Sequence, residues 1–352
     1  MTRVLLLFAA ALFWGCSPVG ENISTTAIAV LPMPVSNNAV TTVVVGDRQF
    51  VVSFAGLGPG KSHSDTLDAT FVLDSVTAEW RETAALPGGV GRLAAVAVSV
   101  GELAYVFGGY TVATDGTEVS MPFVHSFNPA SEEFVALARM PVPVDDAVAV
   151  TYLDRYIYLI SGWHDLGNVN LVQRYDVLTD GWEQATPIPG SALFGHAGGV
   201  VGNRMVYCDG VLVHANADRS RDFVASDACF LGIIDISDGR RIDWRRLPSH
   251  PGLPRYRMAA AGIPSLNGVL FIGGSESPYN YDGIGYNGEP SEPAPGGLLF
   301  ELEDSSWREL PIAGAATMDH RGLVPFRDHW LTVGGMKTGQ QVSDGVIAYT
   351  LE

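Results

Sequence analysis

Short apolar runs that end in glycine recur along the chain. They read QFVVSFAG (49–56), AYVFGG (104–109), YIYLISG (156–162), RMVYCDG (204–210), VLFIGG (269–274) and WLTVGG (330–335). The runs are rich in β-branched and aromatic residues, and no apolar period of 3.6 residues is sustained between them, so they predict strands. A second mark, an apolar residue followed by proline, falls at Leu31-Pro32, Leu86-Pro87, Met140-Pro141, Ile188-Pro189, Leu247-Pro248 and Leu310-Pro311. An aromatic residue (Trp80, Phe134, Trp182, Trp244, Trp307) stands shortly before each of the last five marks. Each unit therefore predicts an alternating strand, a short turn, the apolar strand, a variable loop and two further strands.

Four antiparallel strands repeated six times, roughly every fifty residues, predict an all-β chain folded as a six-bladed β-propeller. The segment TTAIAVLP (25–32) precedes the first glycine-ended run, and no further mark follows Gly335. It is predicted to supply the outer strand of the last blade, which removes an open sheet edge. The glycine pair, with an aromatic and then a Trp after it, resembles the kelch repeat, most clearly in YVFGGY (105–110) and FIGG (271–274). The resemblance covers residues 25–352. It is degraded at Phe54-Ala55-Gly56 and Cys208-Asp209-Gly210.

Upstream, Arg3 and an apolar run from Val4 to Trp14 have the layout of a secretory signal and are too short to span a bilayer. Gly15-Cys16 resembles the lipobox of bacterial lipoproteins, although Phe13 and Trp14 depart from it. Residues 1–15 are thus expected to be a signal peptide and 16–24 a linker. The resemblance implies lipidation of Cys16 and an exported protein, periplasmic or at the cell surface, held to a membrane only by its lipid. Cys208 and Cys229 then remain as an even pair, a disulfide in an oxidising compartment or else two buried thiols. The formal net charge of −17, with Lys61 and Lys337 the only lysines, disfavours nucleic acid and anionic membranes as partners.

Naming the strands of a blade a to d from the axis outward, the b–c loops and d–a connections share one face. Long loops on a rigid scaffold commonly carry function. The residues entering strand a, namely Asn38, Arg92, Asp146, His196, Arg257 and Arg321, are predicted to ring one end of the channel, with Asp145 and His320 beside two of them. Such a ring suits the carboxylate of a sugar acid or peptide, because arginine grips carboxylates in a bidentate fork. Alternatively, the same residues hold neighbouring blades together. Tyr279, Tyr281 and Tyr286, with Trp163 and Tyr110 from other b–c loops, are expected to bring aromatic surface to that face for a glycan or protein ligand.

GIGYNG (283–288) matches the G-x-G-x-x-G fingerprint of dinucleotide-binding turns. The preceding strand ends at Ile272, however, and Pro290, Pro293 and Pro295 prevent a helix from starting there, so the pyrophosphate seat is missing. Copper-radical oxidases with kelch repeats need a cross-linked Tyr–Cys pair that this chain does not supply. YNYDG (279–283) and HDLGN (164–168) lack EF-hand spacing, so neither a metal nor a cofactor is expected. NGEPSEPAPGGLLFEL (287–302) is similar to a stretch of the N-acetylneuraminate epimerases, the sialic-acid mutarotases. That similarity implies an acid/base role for Glu289 and a substrate carboxylate held by Arg257 or Arg321. Gly297-Leu298 stands where the family has an arginine. The sequence thus points to a module that binds a glycan or protein at the b–c face, with sugar mutarotation as the alternative.

Overall fold

The structure, a computed structural model, describes residues 23–165, 167–218 and 220–351. The expected signal peptide and Cys16 lie outside them. Among the described residues, six four-stranded antiparallel sheets follow one another along the chain. Blade 1 is built from Ala39–Val45, Arg48–Leu57, Thr66–Asp74 and Trp80–Glu82, in spatial order a-b-c-d. Blades 2 to 5 repeat this plan, with a strands at Val96–Val100, Val148–Tyr152, Ala197–Val201 and Ala259–Ile263. The a strands surround the axis, and their side chains line a central channel of ≈ 280 Å³.

Blade 6 joins the two ends of the described chain. Val324–Phe326, His329–Val333 and Val346–Leu351 form its a to c strands, and Ile23–Ala27 pairs antiparallel with the last of these. The outer strand was expected over 25–32. Among the described residues it is already formed at Ile23, which pairs with Leu351, and it ends at Ala27. Thereafter the chain bends toward blade 1, with Leu31 N–H bonded to the Asp344 carbonyl.

The repeat marks have mechanical meanings. In blades 1, 3, 4 and 5 the tryptophan of strand d donates its indole N–H to a carbonyl of the preceding d–a connection. The partners are Ala29 (3.0 Å), Ala138 (2.9 Å), Thr186 (3.2 Å) and Pro248 (2.8 Å) for Trp80, Trp182, Trp244 and Trp307. Phe134 has no such donor and instead packs on Phe127, with ring centroids 4.5 Å apart.

At the end of each b strand, two successive residues adopt positive φ: Ala55-Gly56, Gly108-Gly109, Ser161-Gly162, Asp209-Gly210, Gly273-Gly274 and Gly334-Gly335. The second is always glycine, because a Cβ there would press on the backbone entering strand a; at Gly109 it would lie 2.7 Å from the Leu93 carbonyl. The first tolerates a side chain, which explains the degraded copies. Ser161 uses its hydroxyl to bond the Leu193 carbonyl at 2.8 Å, and Asp209 accepts from His250. Cys208 and Cys229 are directly opposite each other on strands b and c of blade 4 and are joined as a disulfide.

Candidate functional site

Each glycine pair is followed by a residue that bridges to the approach of strand a: Leu57 to Ser36, Tyr110 to Leu93, Trp163 to Asp145, Val211 to Phe194, Ser275 to Tyr256 and Met336 to Met318. One residue further toward strand a, the backbone takes positive φ in every blade, at Asn37, Ala94, Asp146, Gly195, Arg257 and Asp319. These six positions form a belt. The N–H of Ala94 bonds the Asn37 carbonyl, Asp146 bonds Ala94, Gly195 bonds Asp146, and Arg257 bonds Gly195. His320 N–H then reaches the Arg257 carbonyl.

The expected ring of six side chains is therefore out of register in four blades. Only Asp146 and Arg257 occupy the belt. Asn38 falls one residue late; it bonds Ser53 within blade 1 and reaches the Val333 carbonyl of blade 6 at 3.4 Å. His196 is also one residue late, with Nε2 3.0 Å from the Ile160 carbonyl; burial pushes its imidazole down to about 4, so it is neutral. Arg92 falls two residues early and clamps the junction of blades 1 and 2 through the Gly108 and Pro87 carbonyls, both at 3.2 Å. Arg321 begins two residues late, but its long side chain reaches back to the belt. Asn37 and Asp319, the belt residues of blades 1 and 6, escaped the sequence reading. A usable signal was present, since Asn, Asp and Gly tolerate positive φ best.

At the axis these residues assemble a closed square of charge. Arg257 donates to Asp146 at 2.6 Å and to Asp319 at 3.0 Å. Arg321 lies 2.7 Å from Asp146 and 3.5 Å from Asp319. All four side chains are buried, and the square carries no net charge. Its arginines are thus occupied by aspartates rather than presented to an anion. Arg321 also donates to Asn37 Oδ1 at 2.8 Å, completing the circuit where the backbone belt is open.

The square separates two spaces. On one side lies the central channel. On the b–c side lies a cleft of ≈ 170 Å³, and Asp146 and Arg257 line both. Tyr110, Trp163, Phe223, Tyr281 and Tyr286 give the cleft aromatic walls, and Glu118, Asp145, Arg221 and Asn280 give it polar ones. Phe223 and Tyr286, from blades 4 and 5, stack face to face with centroids 3.9 Å apart. The Arg221 guanidinium lies 5.5 Å from the centre of the Trp163 ring. Asp145 is buried and accepts a 2.7 Å bond from the Ser120 hydroxyl. Burial and then the neighbouring Asp146 carboxylate push Asp145 well above the ordinary carboxylate range. Glu118 is more exposed, on the rim. Desolvation raises it too, against the opposing charge of Arg257 and with the help of Asp146.

Two of the three predicted loop tyrosines, Tyr281 and Tyr286, reach this cleft. Tyr279 does not: it is fully buried, edge-on to Tyr256 at 5.0 Å, with Arg257 5.3 Å from its ring centre. Glu289 is exposed and lines neither space. In GIGYNG the N–H groups of Gly283, Gly285 and Gly288 bond carbonyls of their own loop, so they are not presented to a phosphate. Glu118, Arg221, Phe223 and Asn280 were missed because loop residues carry no periodic signal. No group of three or more His, Cys, Asp or Glu side chains is placed to hold a metal among the described residues.

Comparison with known proteins agrees with this architecture. No family model matches the chain. Human Kelch-like protein 15 is 21% identical over 250 residues, 71% of this chain and 40% of its own length. The Danio rerio protein of the same name is 28% identical over 253 residues, 72% of this chain and 40% of its own. A solved structure of YjhT superposes with a TM-score of 0.70 at 18% identity, over 92% of this chain and 97% of that one. The chain is a kelch-repeat six-bladed β-propeller. Kelch-like protein terF of Aspergillus terreus is a further relative, 27% identical over 174 residues, 47% of this chain and 37% of its own length. The propeller spans about 40% of the length of these curated relatives, and its likeness to YjhT is one of fold.

Proposed function

We propose that this kelch propeller is an exported binding module that takes one sugar ring of a glycan into the b–c cleft. The observation that carries this reading is the cleft itself, where aromatic rings and hydrogen-bonding groups line one space. Trp163, Tyr281 and Tyr286 offer apolar surface to the C–H face of a sugar, while Asn280, Asp145 and Glu118 are available to its hydroxyls. Two buried residues add to this. Tyr110 and Asp145 line the cleft at 6% and 3% exposure, and Asp145 accepts from the Ser120 hydroxyl through Oδ2. A glycan array followed by calorimetry tests the proposal. Binding should weaken about tenfold or more in Trp163→Ala. A glycan bound equally well by Trp163→Ala and Tyr281→Ala would place its site elsewhere.

A second reading, mutarotation of a sialic-acid-like sugar, draws on Glu118 and Asp145. Both are raised from their ordinary values in one cleft, the direction that acid/base work requires. On this reading Glu118, which lines the cleft, rather than Glu289, which does not, exchanges the proton, and Arg221 meets the substrate carboxylate. Anomer exchange followed by NMR should then exceed the buffer rate and collapse in Glu118→Gln. Exchange no faster than in buffer removes this reading and leaves the binding module intact.

A further inference from the structure

The charge square alters what the cleft can recognise. Arg257 and Arg321 are the arginines that a sugar acid would need, and each is already paired with both Asp146 and Asp319. With that neutral floor set aside, the cleft keeps the Glu118 carboxyl on its rim, the buried Asp145 carboxyl, which is held toward its neutral form, and one guanidinium, Arg221. That guanidinium lies over the Trp163 ring, where an aromatic face attracts a cation. The protein therefore already shows a cation seated on this wall, and it comes from the outer hairpin of blade 4, Val211–Ala215 and Arg221–Ala225.

We propose, building on the glycan-binding reading, that the cleft selects an amine-bearing sugar, a hexosamine unit with a free ammonium. The ring stacks on the Trp163 side of the cleft, the ammonium pairs with Glu118 and donates a hydrogen bond to Asp145, and Arg221 is displaced from Trp163 as the ligand enters. Asn280 and the Tyr110 hydroxyl meet the ring hydroxyls. The displaced Arg221 gives the proposal a sign that a sugar-acid site would reverse. An intramolecular competitor weakens binding of a cation, whereas an anion-binding arginine strengthens binding of its ligand.

Calorimetric titration of the full chain with methyl glucosaminide, methyl N-acetylglucosaminide, methyl glucuronide and Nα-acetyl-lysine amide tests this. The free amine should bind about tenfold tighter than the acetamide, the scale of one charge-assisted hydrogen bond. Arg221→Ala should tighten it further, and Glu118→Gln should remove most of the preference for the amine. Glu289→Gln, outside the cleft, should leave all four affinities unchanged. A preference for the glucuronide that is lost in Arg221→Ala overturns the proposal. Equal affinity for amine and acetamide, with Trp163→Ala still weakening both, overturns it as well while sparing the glycan reading. Lysine amide bound as tightly as the glucosaminide overturns the sugar part, because the cleft would then be reading a peptide ammonium.

Discussion

Arg257 Nη2 lies 2.6 Å from Asp146 Oδ2, and the pair joins blade 5 to blade 3 across the axis with both side chains buried. Removing one member strands the others in a place that water does not reach. Arg257→Met is expected to cost about 3–5 kcal/mol of stability, because Asp146 and Asp319 would lose the closer of the two arginines they share. Urea denaturation measures it, and a variant as stable as wild type would show that the square is not structural. The same pair sets an acid limit. Burial pushes Asp146 upward, but Arg257 and Arg321 outweigh it and hold the carboxyl below its ordinary value. Its contribution is therefore present above the unfolded carboxylate pKa, about 4, and is lost as pH falls through the lower folded value. Stability of the wild type should decline through this acid range, and Arg257→Met should show a shallower decline.

The sequence was most informative about what repeats and least about what does not. Trp80, Trp182, Trp244 and Trp307 could be aligned because each performs the same act, bonding the preceding connection, so their spacing is fixed by the blade. The belt could not be aligned so well. Its six positions share a backbone conformation but hold Asn, Ala, Asp, Gly, Arg and Asp, and a register error of one or two residues is invisible when side chains differ. Arg321 shows the other limit. From outside the belt its side chain still enters the square, a reach that sequence position does not encode. The cleft depends on Glu118, Arg221 and Tyr286 arriving from three loops of different length, and only their folded courses bring them together.

Gly195 tests the belt directly. Its φ is +61°, and a Cβ added there would overlap the ring of Tyr256, which itself lies 4.6 Å from the Arg257 guanidinium. Gly195→Ala combines a left-handed backbone penalty with an overpacked ring and is expected to cost about 2–4 kcal/mol. Gly202, with the same φ of +61° but nothing within 4 Å of a Cβ, separates the two contributions. Gly202→Ala should cost only about 1 kcal/mol. Equal losses from the two substitutions would mean that the belt has room to relax.

The disulfide between Cys208 and Cys229 closes a loop with a sequence separation of 21, which includes the hairpin that carries Arg221 and Phe223. Its loss enlarges the unfolded ensemble, and a loop of this size corresponds to about 3 kcal/mol. Cys208→Ala/Cys229→Ala should lower the urea midpoint accordingly, and wild type in excess reductant should match it. Mass analysis before and after alkylation without reductant supplies the check on the bond itself. Two alkylated cysteines in the untreated protein would contradict it.

His250 and Asp209 give blade 4 a second tie, this time to blade 5, and one that responds to alkali. His250 Nε2 is 2.8 Å from Asp209 Oδ2, and its Nδ1 is 2.7 Å from the Pro251 carbonyl. Both ring nitrogens thus face acceptors, so the geometry calls for a doubly protonated imidazolium. The Arg255 N–H donates to the same Asp209 oxygen at 2.7 Å, while the Arg255 guanidinium bonds the Pro295 carbonyl of blade 5 at 2.9 Å. Burial pulls the His250 pKa down, but the bond and charge of Asp209 outweigh it and raise the imidazole above its ordinary value. A raised histidine contributes stability that is complete below its unfolded pKa, about 6.5, and that disappears as pH rises through the folded value. Urea midpoints measured from pH 6 to 9 should therefore fall for wild type with increasing pH, while those of His250→Gln should stay nearly level over the same range. Nitrogen shifts of His250 typical of an imidazolium at pH 7 would locate the proton. A neutral imidazole at that pH, together with parallel pH profiles for the two proteins, would show that Asp209 is held by Arg255 alone.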